Sequence, residues 1–99
     1  LILEAIPNWI PADMGYLNFL YDKYKPKTAT TFKKIIKEHF ICMDKYPKWL
    51  QEPDWPIVDN IPAMFLGQLD ITKLKHDTTY LYIFWDKKLD RYIEIIQSL

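Results

Sequence analysis

Residues 46–71, YPKWLQEPDWPIVDNIPAMFLGQLDI, decide how this 99-residue chain folds. Each of the four prolines in this stretch favours an extended conformation in the residue before it, so helix is excluded between residues 44 and 62. The compact apolar run that follows, residues 63–71, predicts a β-strand. We call residues 44–62 the strap, because an irregular segment of this kind must cross the surface of the elements on either side of it.

After the strap the sequence predicts an antiparallel meander. Residues 79–85 are nearly all β-branched or aromatic, and residues 91–97 alternate between apolar and polar. The polar connection at 86–90 has a length that suits a hairpin. Three strands, at about 63–71, 79–85 and 91–97, are therefore expected, and the register decides whether Arg91 or Glu94 lies on the exposed face.

Before the strap the sequence predicts two helices. Asp13 is placed to cap the first helix, which ends at Lys25 and Pro26. Thr30 or Thr31 is expected to cap the second helix. Its apolar stripe consists of Phe32, Ile35, Ile36, His39, Phe40 and Met43.

The first eleven residues, LILEAIPNWIP, read as a short strand or an extended arm, because prolines at 7 and 11 exclude a continuous helix. Trp9 is interpreted as its packing anchor. The chain is 49% apolar and 16% aromatic, and it is too short for two ordinary domains. We therefore predict a single small α+β domain over residues 1–99, with N-terminal helices, a proline-rich strap and a C-terminal antiparallel β-meander; a shortened relative or a fragment of a larger domain stays open, since the chain begins with Leu1.

Charge argues against nucleic acid as the partner, because 13 basic residues balance 13 acidic ones. The halves differ, however, since residues 1–50 carry a net charge of +3 (eight Lys against five acids) and residues 51–99 carry −3 (five basic residues against eight acids). Between residues 23 and 48 there are eight lysines against Glu38 and Asp44. This basic segment is either a solvated helix face or a docking surface for an acidic partner.

The cellular location predicted by the sequence is the cytoplasm. A single cysteine, Cys42, excludes an internal disulfide framework and fits a reducing compartment. No apolar run approaches the roughly 20 residues that span a bilayer, and no segment reads as a signal peptide, so no membrane partner is expected.

No catalytic, metal or cofactor site is predicted. His39 and Cys42 are three positions apart on the predicted second helix, where they could share a face and lower the pKa of the thiol. We favour the other interpretation, in which Cys42 is a small buried apolar residue and His39 lies at the edge of the stripe. Two histidines and one cysteine do not supply a zinc site. Asp70, Asp77, Asp86 and Asp90 lie near predicted strand ends, where aspartate commonly bonds to turn amides.

Two sets of residues are candidates for binding. Aromatic and lysine side chains near one another are typical of protein interfaces, although core packing explains the aromatic residues as well; the candidate partner-binding residues are Tyr21, Tyr24, Tyr46, Lys48, Trp49 and Trp55. Neutral amides interrupt or follow apolar runs at Gln51, Gln68 and Gln97. These glutamines either line a ligand-binding recess together with the tryptophans of the strap, or tie the strap to the strand backbones.

From the strap onward the order of motifs resembles the YwqG-like bacterial domain-of-unknown-function family. The shared pattern is YPKWLQ, then WP, then an apolar strand ending in Gln-Leu-Asp, then a strand with Tyr-x-Phe, and a last strand ending near Gln. It covers about residues 44–97, with Asp44 and Lys45 at the place of the family's glycine pair. The matching positions are Pro47, Trp49, Leu50, Gln51, Trp55, Pro56, Met64, Phe65, Leu66, Gln68, Leu69, Asp70, Tyr82, Phe84 and Gln97.

This resemblance implies a β-rich α+β fold with no established activity. Some small bacterial proteins of this general kind neutralise a neighbouring toxin by binding to it. The functional hypothesis is accordingly a non-catalytic protein-binding module, an immunity or antitoxin-like protein that occludes its partner. The alternative is a small-ligand sensing domain that uses the Gln and Trp recess, and an exposed strand edge leaves a homodimer open.

Overall fold

A computed structural model describes residues 5–99 of the chain. Its elements are α1 (Met14–Tyr24), α2 (Ala29–His39), β1 (Ile57–Val58), β2 (Ile61–Pro62), β3 (Met64–Asp70), a 3-10 turn (Thr72–Leu74), β4 (Thr79–Asp86) and β5 (Arg91–Ser98). Strands β3, β4 and β5 form an antiparallel sheet in that order. The predicted α+β architecture, with two helices followed by a C-terminal antiparallel meander, is confirmed.

The two helices begin at side-chain caps. The Asp13 carboxylate accepts the Tyr16 N–H at 3.1 Å, as predicted, and Lys25 ends α1 in the left-handed conformation at φ 45°. The cap of α2 is Thr28, whose hydroxyl accepts the Thr31 N–H at 3.1 Å. The prediction of Thr30 or Thr31 was wrong, because of the three neighbouring threonines it is Thr28 that stands in the extended conformation of a cap, at φ −132° and ψ 159°.

The predicted apolar stripe of α2 is correct up to the end of the helix. Phe32, Ile36 and Phe40 are fully buried, and Phe40 meets the ring of Tyr16 from α1 edge to face at 5.5 Å. Met43 was assigned to this stripe but is 68% exposed. The helix ends at His39, so Met43 no longer follows the helical period.

Residues 1–4 of the predicted N-terminal strand or arm lie outside the described residues. Residues 5–11 form turns and contain no strand, so that part of the prediction was wrong. Trp9 is a packing anchor as expected: it packs against the core and stacks on Tyr46 with ring centroids 4.2 Å apart and an interplanar angle of 13°.

The sheet has an inner face that is buried and an outer face that is not. Tyr82 and Phe84 on β4 are fully buried, and their partners across the sheet, Ile95 and Ile93 on β5, share that inner face. Alternation places Glu94 on the outer face. Arg91 lies on the inner side instead, where its Nε donates to the buried Asp86 carboxylate at 3.1 Å.

The strap covers the inner face of the sheet. Trp55 is 4% exposed and packs between Phe40 of the helical half, at 5.1 Å between ring centroids, and Phe84 of the sheet, at 5.3 Å. Its indole N–H donates to the Ala63 carbonyl at 2.7 Å. Trp55 was predicted to bind a partner, and this prediction needs correction because the ring joins the two halves of the core.

Two features of the chain around the strap were not predicted. Strands β1 and β2 form a short hairpin whose turn residues, Asp59 and Asn60, both have positive φ, of 52° and 61°, which is the two-residue turn that suits a hairpin. In addition, residues 41–43 run alongside the start of β3. The Met43 N–H donates to the Phe65 carbonyl at 2.8 Å, and the Phe65 N–H donates to Ile41 at 2.9 Å.

Replacing Trp55 with Ala should lower the free energy of unfolding by about 3–5 kcal/mol, because a large core side chain is lost and leaves a cavity. Urea denaturation followed by circular dichroism measures the change. The matched control is Tyr92→Ala, an aromatic residue that is 72% exposed and should change stability by no more than about 0.5 kcal/mol. Equal effects of the two substitutions would contradict the core role of Trp55.

Candidate functional site

The outer face of the sheet is apolar, and no other helix or strand of residues 5–99 packs on it. The strand registers place the following side chains on it: Met64 and Leu69 from β3, Leu81, Ile83 and Trp85 from β4, and Tyr92, Glu94 and Ile96 from β5. Glu94 is the one charged side chain of β3–β5 on this face. Tyr92 and Ile96 are exposed, the latter at 56%, although large apolar side chains grouped on one face are ordinarily covered.

Residues 41–43 widen this face at one end. Cys42 pairs with Phe65, which points inward, so the neighbouring side chains of Ile41 and Met43 lie on the same side as Met64. Ile41 is 53% exposed. The outer face is thus continued beyond β3 by two further apolar side chains.

At this same end the outer face leads into a groove of about 770 Å³. One wall comes from α1 and the end of α2, the other from the β1–β2 hairpin, and the floor from Ile41, the start of β3 and the end of β4. We call it the apolar groove; its lining residues are Phe19, Lys23, Glu38, His39, Ile41, Asp59, Asn60, Ile61, Pro62, Met64, Trp85 and Lys87.

Polar contacts hold the walls of the apolar groove. The Lys88 ammonium donates to the Asp59 carboxylate at 2.7 Å, which ties the β1–β2 hairpin to the turn between β4 and β5. The hydrogen bond and the charge of Lys88 lower the pKa of Asp59. On the helical wall, the two ring nitrogens of His39 lie 2.8 Å from the Ile35 carbonyl and 3.3 Å from the Tyr24 hydroxyl. The carbonyl can only accept, so Nδ1 donates to it, and the other nitrogen of a neutral ring then accepts from the tyrosine.

Two lysines of the apolar groove have no ion-pair partner within 4.0 Å among the described residues, Lys23 and Lys87. The Lys23 ammonium lies 5.9 Å from the centre of the Phe19 ring and 5.4 Å from that of Tyr24. Both rings can stabilise the cation from one side. The groove therefore combines an apolar floor with positive charge at its margins.

The six predicted partner-binding residues do not form one surface. Tyr24 adjoins the apolar groove through His39, whereas Tyr46 and Lys48 border a separate depression of about 320 Å³. Tyr21 is half-buried and meets Phe32 edge to face at 5.5 Å. Trp49 is half-buried as well: it packs on Tyr82 at 4.6 Å, and its indole N–H donates to the Trp9 carbonyl at 2.9 Å. With Trp55 in the core, the predicted aromatic surface is not present as a unit.

The three glutamines tie the strap to the sheet. The Gln97 amide oxygen accepts the N–H groups of Leu50 and Gln51, at 3.0 and 2.9 Å, and its amide nitrogen donates to the Glu52 carbonyl at 2.7 Å. The Gln51 amide nitrogen donates to the Ser98 carbonyl at 2.6 Å. The Gln68 amide oxygen accepts the Lys48 N–H at 2.7 Å. Of the two interpretations left open by the sequence, these hydrogen bonds support the structural one. Neither the apolar groove nor the depression beside Tyr46 and Lys48 brings the three glutamines together with the two tryptophans.

Sequence reasoning missed the apolar groove, since Phe19, Ile41, Met64 and Trp85 come from four separate elements. One signal was present in the sequence. In β4 the residues on both faces are large and apolar, a pattern typical of strands that are covered on both sides. It implied that the outer face needs a covering layer, although it did not locate the groove.

The thiol of Cys42 is not set up as a nucleophile. Burial raises its pKa to about 11, so it is protonated at neutral pH. Within residues 5–99 there is no group of three or more His, Cys, Asp or Glu side chains that would hold a metal ion. The described part of the chain also contains no helix that is both long and apolar enough to cross a membrane.

Comparison of the chain with protein-family models, with curated proteins and with solved structures gave no match. The resemblance of residues 44–97 to the YwqG-like family therefore stays a prediction. The function has to be argued from the geometry of the described residues.

Replacing Gln97 with Met should lower the free energy of unfolding by about 1–3 kcal/mol while the side-chain volume is kept. The part-buried N–H group of Gln51 loses its acceptor, and that of Leu50 keeps only the Tyr82 hydroxyl at 3.2 Å. Urea denaturation followed by tryptophan fluorescence reports the loss. Glu94→Met, on the exposed face of the same strand, is the matched control and should stay within about 0.5 kcal/mol of the parent. A Gln97→Met protein as stable as this control would show that the amide does not hold the strap.

Alkylation of Cys42 by iodoacetamide should be slow at neutral pH and should rise through a midpoint near pH 11, because only the thiolate reacts and burial disfavours it. The single cysteine makes the rate constant unambiguous, and mass spectrometry of timed samples measures it. The same chain in denaturant should show the lower midpoint of an ordinary thiol. A folded-state midpoint at or below that ordinary value would mean that the thiol is not buried.

Proposed function

We propose that this chain is a non-catalytic protein-binding module that docks its partner in the apolar groove and on the outer face of the sheet. The observation that carries the proposal is the continuity of these two surfaces. Met64 and Trp85 belong to both, so an apolar surface runs from the groove along β4 and past Glu94 to Ile96. Exposed patches of this kind mark interaction sites in soluble proteins.

The area is suited to a protein partner. The outer face measures roughly 400 Å² in projection, because it is made of three strands of seven or eight residues that lie about 4.8 Å apart and rise about 3.4 Å per residue. Residues 41–43 and the apolar groove extend it toward the roughly 800 Å² that each partner contributes to a standard interface. A small metabolite would be enclosed over most of its surface, whereas this groove opens along one side onto the outer face of the sheet.

Binding of this kind needs shape and a few apolar anchors, and no reactive group. It is compatible with the occlusion of a partner's working surface, which is how an immunity or antitoxin-like protein acts. The single, half-buried Cys42 has no disulfide partner in the chain, which agrees with a role in the cytoplasm, and we include that location in the proposal.

Replacing Ile41 with Asp should abolish partner capture, because a carboxylate placed on the floor of the apolar groove loses its hydration when the partner docks. Immobilised parent and variant chains are incubated with lysate of the source organism, and the captured proteins are quantified by mass spectrometry. We expect one stoichiometric protein on the parent chain and at least about 10-fold less on Ile41→Asp.

The matched control is Leu74→Asp. Leu74 is also an exposed apolar residue, at 79%, and lies in the connection at the opposite end of β3, about 20 Å away along the strand. It should capture the partner as the parent does. Retention of the partner by Ile41→Asp, or no captured protein on a folded parent chain, would count against the proposal.

A further inference from the structure

The surface beside the apolar groove is basic. Residues 14–39, which follow the cap residue Asp13, contain eight exposed charged side chains. Two are acids, Asp22 and Glu38, and six are lysines. The lysines are Lys23, Lys25, Lys27, Lys33, Lys34 and Lys37. Residues 14–39 therefore present a net charge of +4 to solvent, or +3 when the exposed cap residue Asp13 is included, although the whole chain is neutral.

This charge is arranged on both sides of the groove. Lys33, Lys34 and Lys37 line a shallow depression on α2 that shares Glu38 with the apolar groove, so the basic face of the helix adjoins the helical wall. Lys87 lines the groove from the turn between β4 and β5, and Lys23 lies above Phe19. Of the two acids in the lining, Asp59 is neutralised by Lys88, which leaves Glu38 against the surrounding lysines.

We propose that the occupant of the apolar groove is an acidic amphipathic segment of a partner protein. The inference rests on the proposed function and specifies the partner. Apolar side chains of the segment pack on Phe19, Ile41, Met64 and Trp85, as an amphipathic element does in a hydrophobic groove. Its carboxylates face Lys23, Lys87 and the lysines of α2, and opposite charges of this kind favour the encounter and its orientation.

A second copy of the chain fits this surface less well. Glu94 occupies the middle of the outer face, beside Ile83, so two copies stacked about a two-fold axis there would bring two Glu94 carboxylates together. Pairing of two β5 edges has the same difficulty in one of its two registers of greatest overlap. The Leu99 N–H donates to the carbonyl of Thr78, the residue before β4, so alternation directs the backbone groups of Tyr92, Glu94 and Ile96 to the free edge. The register centred on Ile95 sets Glu94 opposite Ile96, whereas the register centred on Glu94 sets two carboxylates directly opposite each other. Like charges directly opposite each other destabilise such pairs.

The test uses the full chain labelled with ¹⁵N and three synthetic 18-residue amphipathic peptides. All three have leucine at helical i, i+3, i+4 spacing; the remaining positions carry Glu in the first, Gln in the second and Lys in the third. The reporter is the indole N–H resonance of Trp85, which lines the groove and donates to Asp90. The indoles of Trp49 and Trp55 are bonded to internal carbonyls and serve as controls in the same spectrum.

We expect the Glu peptide to shift the Trp85 resonance and the amides of Ile41 and Met64, with the Trp49 and Trp55 indoles unchanged. The Gln peptide should bind at least about 5-fold more weakly and the Lys peptide more weakly still, and raising the salt concentration should reduce the difference. The double substitution Lys23→Gln, Lys87→Gln should weaken binding of the Glu peptide by about 2–10-fold. The matched control, Lys73→Gln with Lys75→Gln at the far end of the sheet, should leave it unchanged.

The other outcomes separate the two proposals. Equal binding of all three peptides in the groove would overturn the acidic partner and leave the protein-binding function standing. A Trp85 resonance that none of the peptides moves would overturn both. Shifts of Trp85 and Tyr92 that depend on the concentration of the chain alone would assign the surface to a second copy, and a stronger response to single-stranded oligothymidine than to the Glu peptide would assign it to nucleic acid; either result overturns the inference.

Discussion

The side-chain amide of Gln97 is the contact on which the position of the strap depends. A proline-rich segment has no hydrogen-bonding ladder of its own, so its backbone groups must find partners elsewhere. Gln97 meets three of them at once, on Leu50, Gln51 and Glu52. The Tyr82 hydroxyl adds a fourth contact by donating to the Lys48 carbonyl at 2.7 Å. Two residues on the inner face of the sheet thereby fix where the strap crosses it.

The position of the strap determines which face of the sheet is covered. Once residues 48–52 are attached to β4 and β5, Trp49 lies on Tyr82 and Trp55 reaches the space between Phe40 and Phe84. The strap and the helices together close the inner face. Among residues 5–99 there is no further element to cover the other side of β4, where Ile83 and Trp85 point. Strand β4 is apolar on both faces but covered on one, and this is the structural reason to expect a partner on the other face.

The sequence predicted the elements better than their contacts. Strands β3, β4 and β5 follow from period-two alternation and β-branched or aromatic content, and α1 follows from the Asp13 cap, because each of these signals is local. The position of Trp55 depends on contacts that are distant in the sequence. A tryptophan that precedes a proline has the same local sequence pattern whether the strap packs on a sheet or projects into solvent. The prediction of the residue that caps α2 was wrong for a simpler reason. Three closely spaced threonines offer the same hydroxyl group, and the sequence does not show which of them takes the cap conformation.

The candidate site was the least predictable part. Phe19, Ile41 and Trp85 are neighbours only in the folded chain, where residues 41–43 pair with the edge of β3 and α1 lies beside this edge. The structural role of the three glutamines, by contrast, could be predicted in outline from the sequence. A neutral amide after an apolar run must find hydrogen-bonding partners, and in a chain with an irregular strap the nearest unpaired groups are those of the strap.

This arrangement suggests a physical role for the unequal net charge of the two halves of the chain. The lysines lie on the helices, beside the groove, and are exposed to solvent, so they act over about 8–10 Å at physiological salt and mainly raise the rate of encounter. The floor made by Ile41, Met64 and Trp85 acts only after water has left, so it mainly slows dissociation. A groove built from both can select a partner by charge and retain it by apolar contact, while the Lys88–Asp59 ion pair holds the hairpin wall in place before the partner arrives.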